Sequence, residues 1–266
     1  TLFRSSLLFF SISVFSQNDL STPFERGNGN QSTTYEECIA FYEKLDESFA
    51  NIQMIYKGTT DSGKPLHLVL FSSEGKFDFD EYFTKNKAVI LINNGIHAGE
   101  PDGIDATMML MRDLAMGKIK TAKNTLIAAI PVYSVGGMLN RNSHSRANQN
   151  GPEEYGFRGN ARNYDLNRDF IKSDTKNSRS FQKLFTELNP DIFLDNHVSN
   201  GADYQYTFTC IATQHERLGN KLGNYFINEL YPFVVKDMNK KKIDVVPYVN
   251  VHSTTPDKGF EQFTDT

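Results

Sequence analysis

The segment that most constrains the fold is a short apolar run at residues 88–92, followed by a glycine-spaced turn and an amphipathic stretch at residues 104–115. Such a run predicts a buried strand, and the helical spacing after it predicts a helix. The turn between them carries His97 and Glu100. Ligands of open α/β sheets bind where strands end, and imidazole and carboxylate are both suitable zinc ligands. The alternative is a loop histidine followed by a carboxylate that the helix dipole favours.

Strands and helices alternate along the rest of the chain. Further strands are predicted at residues 53–57, 66–72, 125–131, 191–197 and 204–211. Helices are predicted from a cap at Thr33 or Thr34 to about residue 50, and at residues 174–188 and 214–230. This alternation predicts an α/β fold with a mixed, mostly parallel central sheet and helices on both faces. A long polar stretch, residues 133–163, is predicted to be a loop that is either functional or disordered.

The charge balance excludes some classes of function. The net charge is −4, which gives no electrostatic basis for binding nucleic acid or an anionic membrane. The one basic run, residues 240–242, is interpreted as a solvated turn. Cys38 and Cys210 have no metal or redox spacing, and we interpret them as separate buried thiols, with a disulfide as the alternative.

The amino terminus resembles a secretory signal peptide. Arg4 precedes an apolar run, residues 7–15, that is too short to span a bilayer, and Ser16 is followed by polar residues. We therefore expect cleavage after Ser16 and a secreted or periplasmic protein, with a buried first strand as the alternative. No other segment is long and apolar enough for a membrane span. The predicted organisation is a signal peptide (1–16), a polar linker (17–32) and a catalytic domain (33–266).

Two further segments add candidate functional residues. His197 ends the predicted strand 191–197, so a His-Glu-His set with an open fourth position for water is possible, as in catalytic zinc sites. Asn167 and Arg168 offer an amide and a planar guanidinium side by side, which can hold a carboxylate. The alternative for Arg168 is a surface turn in which it pairs with Asp165 or Asp169.

The order of these elements resembles that of the zinc metallocarboxypeptidases of the carboxypeptidase A type. A strand-borne His-x-x-Glu, an Asp-x-Asn-Arg element and a strand-terminal His match from about residue 88 to residue 209. The resemblance implies a zinc carboxypeptidase-like fold and hydrolysis of C-terminal peptide bonds. It also implies one zinc ion, for which the ligands are His97, Glu100 and His197.

The same resemblance assigns roles around the metal. Asn167 and Arg168 are expected to grip the free C-terminal carboxylate of a peptide or protein substrate. Asp165 is expected to orient a zinc histidine. Arg146, in the long loop, is predicted to stabilise the oxyanion, with Arg141 as the alternative.

One departure from the family concerns the general base. The family has a glutamate on a strand well beyond the third ligand, and no convincing match precedes Thr266. Glu261 is the last glutamate, in what we interpret as a polar loop. We therefore expect the chain to be C-terminally truncated, with the base beyond it. Two alternatives follow: an aspartoacylase-like zinc amidohydrolase acting on N-acyl amino acids, and a noncatalytic zinc- or peptide-binding module.

Overall fold

A computed structural model describes residues 19–84, 87–199, 204–252 and 256–262. The predicted signal peptide, residues 1–16, lies outside the described residues. The chain divides after Val198 into two compact units. Within the described part of the chain, no helix is long and apolar enough to cross a membrane.

The first unit is built on a five-stranded sheet with the strand order β1-β2-β4-β3-β5. The strands are β1 (Ile52–Thr59), β2 (Pro65–Ser72), β3 (Ala88–Asn93), β4 (Thr125–Ile130) and β5 (Ile192–Asp195). Strand β2 is antiparallel to both of its neighbours, whereas β4, β3 and β5 are parallel to one another. Four of the five strands therefore run in one direction, which confirms the mixed, mostly parallel sheet.

Helices precede the first strand and lie in the connections between later ones. They are α1 (Pro23–Arg26), α2 (Tyr35–Ser48), α3 (Phe79–Thr84), α4 (Asp102–Ala115), α5 (Val135–Leu139) and α6 (Lys176–Leu188). Helix α2 is capped by Thr34, which forms a capping box with Glu37, as the sequence Thr-x-x-Glu favours. The predicted helices in this unit are confirmed to within a few residues of their ends.

Alternate residues of the sheet point into two separate cores. Val69 and Phe71 pack in one cluster with the apolar faces of α2 and α4. Leu68 and Leu70 pack in the other cluster with Phe181 and neighbouring residues of α6. Because a strand alternates its side chains between the two faces of a sheet, the helices must cover both faces. This confirms the predicted architecture.

Two segments differ from their predictions. The expected linker, residues 17–32, contains α1, and Glu25 of this helix pairs with Arg112 at 2.6 Å. The polar composition of this segment favoured a linker, but Thr22 and Glu25 form a capping box that stabilises this short helix. The long loop, residues 133–163, likewise contains α5, whose Val135 and Met138 are buried.

The second unit is described by itself. It contains β6 (Phe208–Cys210) paired with β7 (Val245–Pro247), β8 (Val249–Val251) paired with β9 (Phe260–Gln262), and the helices α7 (Gly219–Tyr225) and α8 (Tyr231–Lys240). A π-helical segment joins α7 to α8, so the predicted helix continues ten residues past residue 230. Glu261, expected in a loop, lies exposed in β9. Cys38 is buried, Cys210 is half-buried, and both are free thiols.

Candidate metal centre

The three predicted ligands meet at the carboxyl edge of the sheet. The turn after β3 carries His97 and Glu100 to the start of α4, and His197 follows β5 by two residues. The parallel pairing of these two strands sets their ends side by side. One nitrogen from each imidazole and one Glu100 oxygen all lie within 4.8 Å of one another.

Each histidine contacts an aspartate on one side of its ring and Glu100 on the other. Nε2 of His97 lies 3.0 Å from Asp165, and its Nδ1 lies 3.1 Å from Glu100. Nε2 of His197 lies 3.1 Å from Asp195, and its Nδ1 lies 3.0 Å from Glu100. An Nε2–H donated to an aspartate leaves Nδ1 available as a metal ligand. The two Nδ1 atoms and the glutamate therefore face a common point.

The charges at this point favour a cation. Burial acts to raise the pKa of Glu100, but hydrogen bonds from His197 and His97 outweigh it and hold the pKa well below its usual range. Burial acts to lower the pKa of His197, but hydrogen bonds to Asp195 and Glu100 raise it to about 9. Glu100 is therefore a carboxylate that can bind a cation, and the acidic side chains of Asp165 and Asp195 lie behind the two rings. Two imidazole nitrogens and one carboxylate are a donor set that fits zinc.

The predicted carboxylate-binding pair lies next to these ligands. A single 3-10 turn, Leu166–Arg168, is capped by Asp165, which accepts a hydrogen bond from the Asn167 amide at 3.0 Å. Nδ2 of Asn167 lies 3.5 Å from Nε2 of His197. Arg168 is exposed and donates to the Asn167 carbonyl. Asp165 pairs instead with His97 and Arg158, and Asp169 accepts hydrogen bonds from Thr175.

The two predicted oxyanion candidates occupy different places. Arg146 is buried and donates to Glu100 at 3.0 Å and to Gln149. Arg141 donates to the carbonyls of residues 32, 33 and 154, and so connects the segment before α2 to the long loop. The structure therefore brings Arg146, but not Arg141, to the predicted ligands.

A third arginine, which the sequence analysis did not single out, also reaches the centre. Nη1 of Arg158 lies 3.4 Å from Nδ1 of His97, and its Nη2 donates to Asp165 at 2.8 Å. Its side chain is 39% exposed, against 7% for Arg146. Asp195 was missed as well. Its signal was its position two residues before His197 in the predicted strand 191–197.

A buried asparagine holds the loop that carries Arg158 and Asp165. Oδ1 of Asn160 accepts the amides of residues 162 and 164 at 2.9 and 3.0 Å. Its Nδ2 donates to Asp61, in the turn between β1 and β2, at 3.0 Å. Asp61 also accepts the backbone amide of Lys176, the first residue of α6, at 3.3 Å. The loop is thereby tied to the sheet and to a helix.

Comparison with known proteins identifies the class. The model of the zinc carboxypeptidase family, peptidase family M14, matches residues 38–255. This chain therefore belongs to the zinc carboxypeptidases. The match favours the carboxypeptidase interpretation over the aspartoacylase-like one.

Individual relatives are distant. "Probable carboxypeptidase 2" of Arthroderma benhamiae is 28% identical over 117 residues, which are 43% of this chain and 19% of that protein. Carboxypeptidase A from Helicoverpa armigera is similar in structure with a TM-score of 0.51 at 15% identity, over 82% of this chain and 58% of that one. Bovine thrombin-activatable fibrinolysis inhibitor gives a TM-score of 0.54 at 14% identity, over 82% and 76%. These two structures support the fold alone.

Proposed function

We propose that this chain binds one zinc ion and is part of a metallocarboxypeptidase that hydrolyses the C-terminal peptide bond of peptides or proteins. The observation that carries the proposal is the convergence of His97, Glu100 and His197 to within 4.8 Å, beside Asn167. A zinc ion held by these residues supplies a Lewis acid and lowers the pKa of a bound water.

Asn167 and Arg168 account for the selectivity for C-termini. The exposed guanidinium of Arg168 presents several N–H donors in a plane, and the Asn167 amide adds another beside His197. A free carboxylate accepts such donors in a bidentate arrangement. An internal peptide bond offers no such anion, so the pair favours the last residue of a substrate.

Arg158, in preference to Arg146, is proposed to stabilise the oxyanion. A substrate carbonyl needs an accessible donor, and Arg158 is the more exposed of the two. Arg146 is engaged by Glu100 and Gln149, which suits holding the ligand in place. Arg158→Ala should lower kcat by about 10²–10³-fold in zinc-loaded protein. Arg146→Ala should mainly weaken zinc binding. If Arg146→Ala lowered kcat and Arg158→Ala weakened only zinc binding, the oxyanion role would belong to Arg146.

The proposal includes secretion. The predicted signal peptide motivates it, and mature protein from its natural source should then begin at residue 17. Mass spectrometry of the intact amino terminus measures this. A mature protein that retained residues 7–15 would contradict it.

The main experiment measures the metal content and the peptide hydrolysis of the protein. Metal analysis should find one zinc per chain. Arg168→Ala should reduce hydrolysis of peptides with a free carboxylate far more than that of their amidated counterparts. An equal reduction for both peptides would mean that Asn167 and Arg168 do not bind the C-terminal carboxylate. Full activity without zinc would mean that the proposed metal centre is not needed for hydrolysis.

A further inference from the structure

A second candidate binding site lies in a groove between β1 and α6. This groove has a volume of about 430 Å³ and is lined by the carboxyl half of β1 and one face of α6. Four of its lining residues are cations, namely Lys57, Lys176, Arg179 and Lys183. The one acidic lining residue, Glu187, pairs with Lys57 at 2.6 Å. The groove therefore has a net positive charge on a chain whose net charge is −4.

Three of these cations form a row along α6, and one of them, Arg179, is near enough to Asp169 to act to lower the pKa of that carboxyl. Lys176, Arg179 and Lys183 are spaced three and four residues apart, so they share one face of α6. All three are exposed, and none has a carboxylate of the described residues within ion-pair distance. Arg179 is held in place because its Nη1 donates to the carbonyls of Ser173 and Asp174. The row extends over about 10 Å of helix.

The row also opposes the dipole of its own helix. The first turn of α6 has no acidic residue and its last turn has no basic one. Lys176 is the first residue of the helix and Arg179 the fourth. The amino end of a helix carries partial positive charge, so cations there are unfavourable for the isolated helix. The carboxylate of Asp61, which accepts the Lys176 amide, offsets part of this unfavourable interaction, and a bound anion would offset more of it.

One end of the groove lies at the edge of the sheet that carries the metal centre, although β2 and β4 separate β1 from β3. Strand β1 runs in the direction of β3 and β5, so Thr59 lies at the edge where those strands deliver the predicted ligands. Asp61, just past β1, bonds both the Lys176 amide and Asn160 of the loop that carries Arg158. These hydrogen bonds reach the amide of residue 164, and the next residue in the chain, Asp165, contacts His97.

We propose that this groove binds an acidic segment of the peptide substrate, upstream of the residue that is removed. Three cations over about 10 Å match about three residues of an extended chain. The groove thus selects extended peptides with two or three carboxylates in this stretch. The identity of the ligand as a substrate rests on the proposed function, whereas the binding of an acidic peptide does not.

The test measures binding without hydrolysis. A fluorescently labelled peptide with four consecutive glutamates and an amidated C-terminus is titrated with the zinc-loaded protein, and anisotropy is recorded. Lys176→Glu combined with Lys183→Glu should weaken binding at least tenfold, and binding to the natural protein should weaken as salt is added. Lys176→Arg with Lys183→Arg should retain it.

A matched control keeps the same change of net charge. Lys120 and Lys123 are exposed in the connection between α4 and β4, which precedes β4 and so lies at the other end of the sheet. Lys120→Glu with Lys123→Glu should leave the affinity within twofold. Equal losses in both double variants, or no loss in the first, would overturn the proposal. Thermal unfolding checks the fold, and the helix dipole predicts that the first variant is not less stable than the natural protein.

Two further measurements separate the possible outcomes. The first measurement compares kcat/KM for acidic and neutral peptides that have a free carboxylate. In the variant with Lys176→Glu and Lys183→Glu, the ratio of these two values should fall about tenfold, because KM for the acidic peptide rises. If the protein hydrolyses no peptide but still binds the amidated probe through this groove, the proposed function fails and the acidic-peptide site stands. A sulfated polysaccharide is titrated in parallel. Binding of that polymer without binding of the peptide would overturn the proposal.

Discussion

At the scale of single residues, the two aspartates behind the histidines determine which ring nitrogen can bind a metal. Asp165 lies at Nε2 of His97 and Asp195 at Nε2 of His197, so both rings present Nδ1 to the centre. Carboxylates in such positions also raise the basicity of the imidazole. Both effects favour zinc binding, although neither aspartate is among the three predicted ligands.

Neutralising these aspartates should therefore weaken zinc binding. Asp165→Asn and Asp195→Asn should each reduce zinc affinity about 10–100-fold, measured by competition with a chromogenic chelator. Asp174→Asn is the matched control, because Asp174 is exposed in the same unit and its carboxylate contacts neither histidine. If all three variants bound zinc equally well, the orienting role of the two aspartates would be wrong.

The pH dependence of zinc binding follows from the raised pKa of His197. In metal-free protein this pKa is about 9, so below pH 9 the imidazole carries a proton that zinc must displace. Zinc affinity should therefore rise by up to about tenfold per pH unit between pH 6 and pH 8. Isothermal titration in several buffers, corrected for buffer protonation, measures both the affinity and the proton released. A constant affinity over this range would contradict the raised pKa.

Sequence patterns located some of these residues better than others. His97 and His197 were found because each follows an apolar strand, and the ends of parallel strands meet at one edge of a sheet. Arg158 was not found because several arginines are spread through an aperiodic loop, and the path of that loop depends on the contact between Asn160 and Asp61. A contact between residues that are distant in sequence leaves no local pattern.

At the scale of elements, regular periodicity gave good predictions. The strand predicted at residues 88–92 is β3, and the amphipathic stretch after it is α4. The helix predicted at residues 214–230 was less accurate. Pro232 lies just past the predicted end, yet the helical backbone continues through it, because the π-helical segment joins α7 to α8. The π-helical segment before it was not visible in the hydrophobic pattern.

The loop of residues 158–165 is an element whose shape depends on one side chain. Asn160→Ala removes the bonds to Asp61 and to the amides of residues 162 and 164. Because these groups are then left unpaired in a partly buried place, the free energy of unfolding should fall by about 1–3 kcal/mol. Urea denaturation of the metal-free protein measures this, and zinc affinity should fall as well, since the loop carries Asp165.

Arg162→Ala is the control for this loop. Arg162 is half exposed and lies 3.9 Å from Asp61, so its loss should change the free energy of unfolding by less than about 0.5 kcal/mol. Equal destabilisation by the two variants would show that the loop does not depend on Asn160 in particular.

At the scale of the whole molecule, the metal centre joins parts of the chain that are distant in sequence. Glu100 and His197 are 97 residues apart and lie 3.0 Å from each other across the ends of β3 and β5. In the unfolded chain these groups are rarely close. A ligand that needs all three side chains together therefore binds the folded state almost exclusively, so its binding free energy adds to the stability of the fold.

Zinc should accordingly raise the midpoint of thermal unfolding. At a free concentration 100 times its Kd, a ligand specific to the folded state adds about 2.7 kcal/mol, which corresponds to roughly 5–10 °C for a domain of this size. Differential scanning fluorimetry with zinc and then with excess chelator should show the rise and its reversal. His197→Ala should abolish the rise, whereas His215→Ala, at an exposed histidine of the second unit, should keep it. A rise that persisted in His197→Ala would mean that zinc stabilises this protein through other residues, and the His-Glu-His centre would then not be its binding site.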